Sequence, residues 1–198
     1  MKKWMFMTLV ALLSSHIAIA QNENLEKSIW GIQLDTGLDF YNETRLANNL
    51  SLRAEAGVAM TVSNEFLFLI VPSGLVPKVA LESRYYTNFG RRQKLGKNTA
   101  GNSANFIYAR DEYRADWFEI PFDEPLTYAN SNVFSFGYGL HRQYGDHFSL
   151  GITIGLSYIS FTGDIDPDFF NDYVPIIAFK SEQDSWALDN GITLSYRF

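Results

Sequence analysis

Apolar and polar residues alternate with period two along most of this chain. From Trp30 to Phe40 the even positions hold Trp30, Ile32, Leu34, Thr36, Leu38 and Phe40, while the odd ones hold Gly31, Gln33, Asp35, Gly37 and Asp39. That alternation predicts a β-strand with one apolar face. Leu50 to Val62 repeats it, with Leu50, Leu52, Ala54, Ala56, Val58, Met60 and Val62 opposite Ser51, Arg53, Glu55, Gly57 and Thr61. Phe148 to Tyr158 sets Phe, Leu, Ile, Ile, Leu and Tyr against Ser, Gly, Thr, Gly and Ser, and Leu188 to Phe198 is a further copy. Weaker segments are Val79 to Phe89, with Glu82 and Arg84 on the polar face, Ser103 to Arg110, and Phe134 to Leu140 with Gly137 and Gly139.

The clearest runs have the length of membrane-crossing strands, about 9 to 11 residues, rather than the roughly 5 to 6 usual in soluble proteins. A strand in hydrocarbon must satisfy all its backbone groups through neighbours, so such a sheet has to close into a barrel. The connections alternate. Asn42 to Asn49, Arg91 to Gly101 and Gln143 to His147 are short to moderate turns, whereas Ser63 to Leu75, Asp111 to Ser131 and Ser160 to Trp186 are long. Bacterial single-chain barrels have even strand numbers, so seven legible strands imply a hidden eighth. Candidates for it are Phe66 to Val71 and Val174 to Lys180.

Alternation alone also fits a soluble periplasmic barrel that binds a ligand and turns its polar side to water. The contents of the polar face favour the opposite orientation. Small residues beside the long charges Arg53, Glu55, Glu82 and Arg84 suit the lumen of an eight-stranded barrel, which side chains just fill. Opposite charges on neighbouring strands could then pair across the lumen and plug it. Trp30, Phe40, Tyr41, Tyr85, Tyr86 and Phe89, near strand ends, have the composition of interfacial girdles.

Lys2 and Lys3, an apolar stretch from Trp4 to Leu13, and the small-residue site Ala18-Ile19-Ala20 read as a secretory signal peptide over residues 1–20, cleaved between Ala20 and Gln21. The remainder, 21–198, is long enough for one barrel domain. The whole chain carries −6, so losing Lys2 and Lys3 leaves −8, which argues against nucleic-acid binding. Cysteine is absent, which removes a disulfide framework and a lipid-modified N-terminal cysteine.

The last strand ends Gly191-Ile192-Thr193-Leu194-Ser195-Tyr196-Arg197-Phe198, with Ile192, Leu194, Tyr196 and the terminal Phe198 on one face. It resembles the C-terminal assembly signal of Gram-negative outer-membrane β-barrel proteins, and the resemblance implies recognition by the barrel-assembly machinery. By length the chain is similar to the small barrels of the OmpA/OmpX type. Asn48 to Ala56 and Leu81 to Tyr86 are similar to segments of outer-membrane barrel-domain proteins. The resemblance implies an all-β, antiparallel up-and-down transmembrane barrel of eight strands, integral to the cell outer membrane and surrounded by its lipid, without a defined activity.

Candidate chemistry is sparse. Asp164, Asp166 and Asp168, with Asp172 nearby, could wrap a hard cation, but the run lacks the glycine and distal glutamate of an EF-hand loop and reads as a solvated acidic loop. His141 and His147 are the histidines beyond the leader. Alternation puts His147 on the face of Ser149, which leaves an interfacial lipid hydrolase as the enzymatic alternative, although no orienting acid is evident beyond Asp146. Arg91, Arg92, Lys94 and Lys97 form a basic turn that reads as a solvated charge run, with lipid phosphate or cell wall as other partners. Asp111 to Pro125 mixes Trp117, Phe118, Ile120 and Phe122 with acids, as either a surface for a ligand or protein partner or a loop packed on the barrel mouth. The reading is a non-enzymatic barrel with a structural or surface-binding role, and neither metal nor cofactor is expected.

Overall fold

The computed structural model describes residues 24–63, 71–115, 118, 120–122, 130–162, 179–180 and 184–198. Residues 1–20, which read as a leader, the Ala20–Gln21 junction and the Asp164–Asp172 run lie outside them. Eight long strands form a closed antiparallel barrel among these residues. They are β1 (Ser28–Leu34), β2 (Gly37–Ala47), β3 (Leu50–Ser63), β4 (Val71–Tyr86), β5 (Asn105–Arg114), β6 (Asn130–Tyr144), β7 (Phe148–Thr162) and β8 (Asp184–Arg197). Each pairs with the next, and β8 returns to β1 through Gly31–Arg197, Ile32–Tyr196, Gln33–Ser195 and Leu34–Leu194. The two-residue pieces Ile120–Pro121 and Phe179–Lys180 pair alongside β4 and β8 at one end.

The missing strand lies inside the first period-two run, and the barrel closes without Phe66–Val71 and Val174–Lys180, most of which lie outside the described residues. Trp30 to Phe40 is two strands joined by the tight turn Asp35–Thr36, with Gln33 opposite Asp39 and Leu34 opposite Leu38. Directly paired residues share a face of the sheet. Here each pair also shares parity, so alternation continues through the turn without a break. Asp35 fixes the turn, its Oδ1 accepting from the Gly37 N–H at 3.1 Å.

Other boundaries also move, among them those of β4, which spans Val71–Tyr86 where the alternation predicts Val79 to Phe89. β2 continues to Ala47, so most of Asn42 to Asn49 is strand and the turn is Asn48–Asn49. β5 runs through Asp111–Arg114, and β6 begins at Asn130, shortening the connection that begins at Asp111 in the sequence reading. Connections 35–36, 64–70, 115–129 and 163–183 thus share one end, the loop end. At the other, the turn end, are 48–49, 87–104, 145–147 and Phe198.

Segment 87–104 is not an open polar turn. It contains helix α1 (Phe89–Lys94) and a single 3-10 turn at Ala100–Asn102, and it folds into the barrel mouth. Phe89 and Ala104 pack there with Leu25, Tyr86, Phe106 and Tyr108. Gly101 and Asn102 adopt φ of +59° and +56°, a left-handed turn that glycine and asparagine tolerate.

Candidate functional site

Alternation gives the barrel two unlike faces. Outward from the strands project Ile32, Leu38, Phe40, Leu81, Ile107, Phe136, Ile154, Leu188 and Ile192, all exposed. Inward project the charged side chains. They come mostly from β2 to β5, while β6 to β8 line their part of the lumen with small residues such as Ser135, Gly137, Gly139, Gly151, Thr153, Gly155 and Ser157. The small wall makes room for the large one. Gly137 pairs with Gly155, and a Cβ on Gly155 would come 2.8 Å from the Tyr108 hydroxyl.

The predicted charges Arg53, Glu55, Glu82 and Arg84 lie in the lumen, at 2, 5, 4 and 7% exposure. Their pairing differs from the expected direct β3–β4 exchange. Arg53 stands opposite Glu82 in register, yet Arg53 binds Glu55 two residues along its own strand at 2.7 Å, and Arg84 binds Glu82 likewise. Residues outside the predicted set join these pairs. Arg110 on β5 reaches Glu55 at 2.7 Å, Glu82 at 3.3 Å and Glu112 at 2.6 Å. Glu43 on β2 lies 3.4 Å from Arg84 and 3.7 Å from Arg53. Towards the loop end, Lys78 contacts Asp39 at 3.0 Å, Asp35 at 3.3 Å and Glu112 at 3.9 Å.

Charges removed from water are tolerable only when paired and hydrogen-bonded. Glu43 meets that condition, accepting from Ser51 Oγ at 2.8 Å, Tyr86 Oη at 2.7 Å and Asn102 Nδ2 at 2.8 Å. Asn102 belongs to the folded-in segment, so the network and the mouth are one structure. The cations are capped by rings, with Arg53 3.6 Å above Tyr41 and Arg84 4.6 Å above Phe106. At the turn end Ser51, Tyr86 and Asn102 are fully buried. A cavity of about 120 Å³ remains towards β6–β8, lined in part by Glu82, Tyr108, Arg110, Glu112, Thr153 and Asp189. That is room for a few water molecules.

Ile192, Leu194 and Phe198 are exposed on the outer face, with Tyr196 half-buried between them. They sit beside the closing seam. The Phe198 N–H donates to the Trp30 carbonyl at 3.0 Å, and the Phe198 ring lies 6.2 Å from Phe40 and 6.0 Å from Tyr196. Inside the seam, Arg197 Nη1 binds the Glu26 carboxylate at 2.8 Å. Of the expected girdle residues, Trp30, Phe40 and Tyr85 face outward. Tyr41 and Tyr86 face the lumen and Phe89 packs in the mouth, because an odd position on β2 and an even one near the end of β4 both point inward.

His147 and Ser149 do not face one another. Ser149 is buried in the lumen, while His147 is exposed in the turn, its Nδ1 3.0 Å from the Arg197 carbonyl oxygen and its ring stacked 5.1 Å from Tyr196. His141 is buried near the mouth. Phe118, Ile120 and Phe122 of the aromatic loop are exposed. Asp39, Glu43, Lys78, Arg110 and Glu112 are among the lumenal charges missing from the predicted network. Arg110 and Glu112 share an even parity with Glu82 and Arg84 across the register; Arg110 closed the segment read from the sequence, and the early end assigned there concealed Glu112. No family model, curated protein or solved structure matches the chain.

Proposed function

We propose that the chain is an integral, non-enzymatic barrel of the Gram-negative outer membrane, with a filled lumen and a structural or surface-binding role carried by the loop end. The observation that carries this reading is the inversion of its faces: an apolar wall all around and a charged interior. Soluble monomers rarely leave contiguous apolar patches beyond a few hundred Å² in water. A soluble barrel for an apolar ligand would place these faces the other way round. β3 to β8, at ten to sixteen residues, have the length to cross hydrocarbon. Closure supplies every strand with two partners, as hydrocarbon requires. The leader and the aromatic C-terminus agree with export and with delivery to the barrel-assembly machinery. The pair His147 and Ser149, separated as they are, lends the hydrolase alternative no support.

The test is cell fractionation with gels of boiled and unboiled samples. A membrane barrel is expected in the outer-membrane fraction, migrating differently before and after boiling. Recovery as a folded protein from the soluble periplasm, without detergent or lipid, would contradict the proposal.

A further inference from the structure

The basic turn stands apart from the lumen network, and the fold brings one more arginine to it. The segment that carries α1 is pinned to β5 and β6 at two points. The Asn105 N–H donates to Asn88 Oδ1 at 2.8 Å, and Asn98 Nδ2 donates to the Gln143 carbonyl at 3.0 Å. Arg92 Nη2 donates to the Asn98 carbonyl at 2.9 Å, so the asparagine that ties the segment to β6 also holds Arg92 there. Arg142, next to Gln143 and on the outward parity of β6, donates to the His141 carbonyl at 2.7 Å and to Asn105 Oδ1 at 2.6 Å. Asn98 on one side and Asn88 with Asn105 on the other thus tether Arg92 and Arg142 to the same corner of the turn end.

Among the described residues, Arg92 and Arg142 form no ion pair. Their acceptors are neutral oxygens, and Arg92 Nε has no hydrogen-bond partner. Two cations held together without a counter-charge repel, and an anion shared between them relieves that repulsion. The surroundings suit an amphiphilic anion. Asn105 Nδ2 donates to Tyr138 Oη at 2.6 Å, and Leu140 and Ile107, beside Asn105 and Tyr138 in register, present exposed apolar surface, as does Leu95 after α1. Guanidinium groups bind phosphate through paired, charge-assisted hydrogen bonds.

We propose that Arg92 and Arg142 form a binding site for the headgroup phosphate of an anionic phospholipid in the leaflet at the turn end, an inference that rests on the membrane reading above. Arg91 and Lys97, exposed on the same segment, add long-range attraction and are not the site itself.

Native mass spectrometry of the detergent-purified barrel, titrated with phosphatidylglycerol, phosphatidylcholine and inorganic phosphate, tests it. One phosphatidylglycerol is expected to bind at least about tenfold more tightly than phosphatidylcholine, given two cations at the membrane surface. R92Q/R142Q is expected to lose that preference while its unboiled gel band stays unchanged. R92Q alone lies outside the strands and should weaken the preference even if the double variant folds poorly. Equal retention of phosphatidylglycerol by wild type and R92Q would overturn the site. Inorganic phosphate binding as tightly as the lipid would overturn the lipid assignment in favour of a free anion. Absence of a heat-dependent band in every detergent and vesicle would count against the membrane reading instead, separately from the lipid result.

Discussion

Arg110 on β5 reaches Glu55 on β3 at 2.7 Å, past the intervening β4. That link turns two pairs along single strands into one network, and Glu55 is almost wholly buried within it. Glu55→Ala would leave Arg53 and Arg110 short of their counter-charge in a place water reaches poorly. A loss of about 3 to 5 kcal/mol is expected, the usual result of breaking one partner from a buried pair. Urea unfolding in lipid vesicles measures it, with Asp146→Asn in the exposed 145–147 turn as a control expected to change nothing measurable. Comparable effects of the two substitutions would show that the network does not hold the barrel together.

Wild-type protein in a planar bilayer is expected to show no steady conductance. The Glu43–Asn102 bond at 2.8 Å fixes the folded-in segment across the turn-end mouth, and the remaining cavity of about 120 Å³ is a pocket for water rather than a channel. Stable ohmic steps would mean that the lumen opens in lipid.

Ile154→Arg places a charge midway along β7 on the apolar face, where Ile154 is 59% exposed. A cost of about 2 to 4 kcal/mol is expected in a bilayer. Thr153→Arg, one residue away, points inward and meets a steric limit instead. Folding of Ile154→Arg in vesicles as efficient as wild type would show that the lipid face has been assigned wrongly.

Most of the barrel was legible because alternation records which way each side chain points, and seven segments showed it. The eighth strand was concealed by the same rule. The Asp35–Thr36 turn keeps parity, so two strands read as one, and the polar residues Asn42, Glu43 and Thr44 then resembled a turn. Glu43, the acceptor on which Arg53, Arg84, Tyr86 and Asn102 converge, was lost with them. Glu112 disappeared for a related reason, since DEYR at the end of β5 is polar enough to pass for a loop, and Arg110 was left at the edge of its segment. In the folded-in segment Thr87 to Phe89 and Ser103 read as strand ends, and the residues between gave no periodic signal. Its place depends on tertiary contacts between Phe89, Asn102 and the lumen that no local pattern encodes.

Deletion of Phe198 should weaken closure. β8 pairs with β7 along Asp184–Tyr196 but with β1 only along Leu194–Arg197, and the Phe198 N–H extends that short seam to the Trp30 carbonyl. Loss of that bond and of the ring beside Phe40 is expected to lower the amount of mature protein in the outer membrane, with the remainder degraded or aggregated. Unchanged outer-membrane levels of the truncated chain, read by immunoblot of fractionated cells, would contradict this.

The lipid face is tested most directly by Trp30 and Trp186, which project from the outer wall at opposite ends of the barrel. Two variants of residues 21–198, each keeping one of these as its single tryptophan with Trp117 and the other replaced, can be folded into vesicles whose phospholipids carry bromine either near the headgroup or near the chain end. Both tryptophans are expected to be quenched, and more strongly by the bromine nearer the headgroup, as interfacial aromatics should be. Fluorescence from both that brominated lipid leaves unchanged would contradict the claim that the apolar wall is immersed in the membrane.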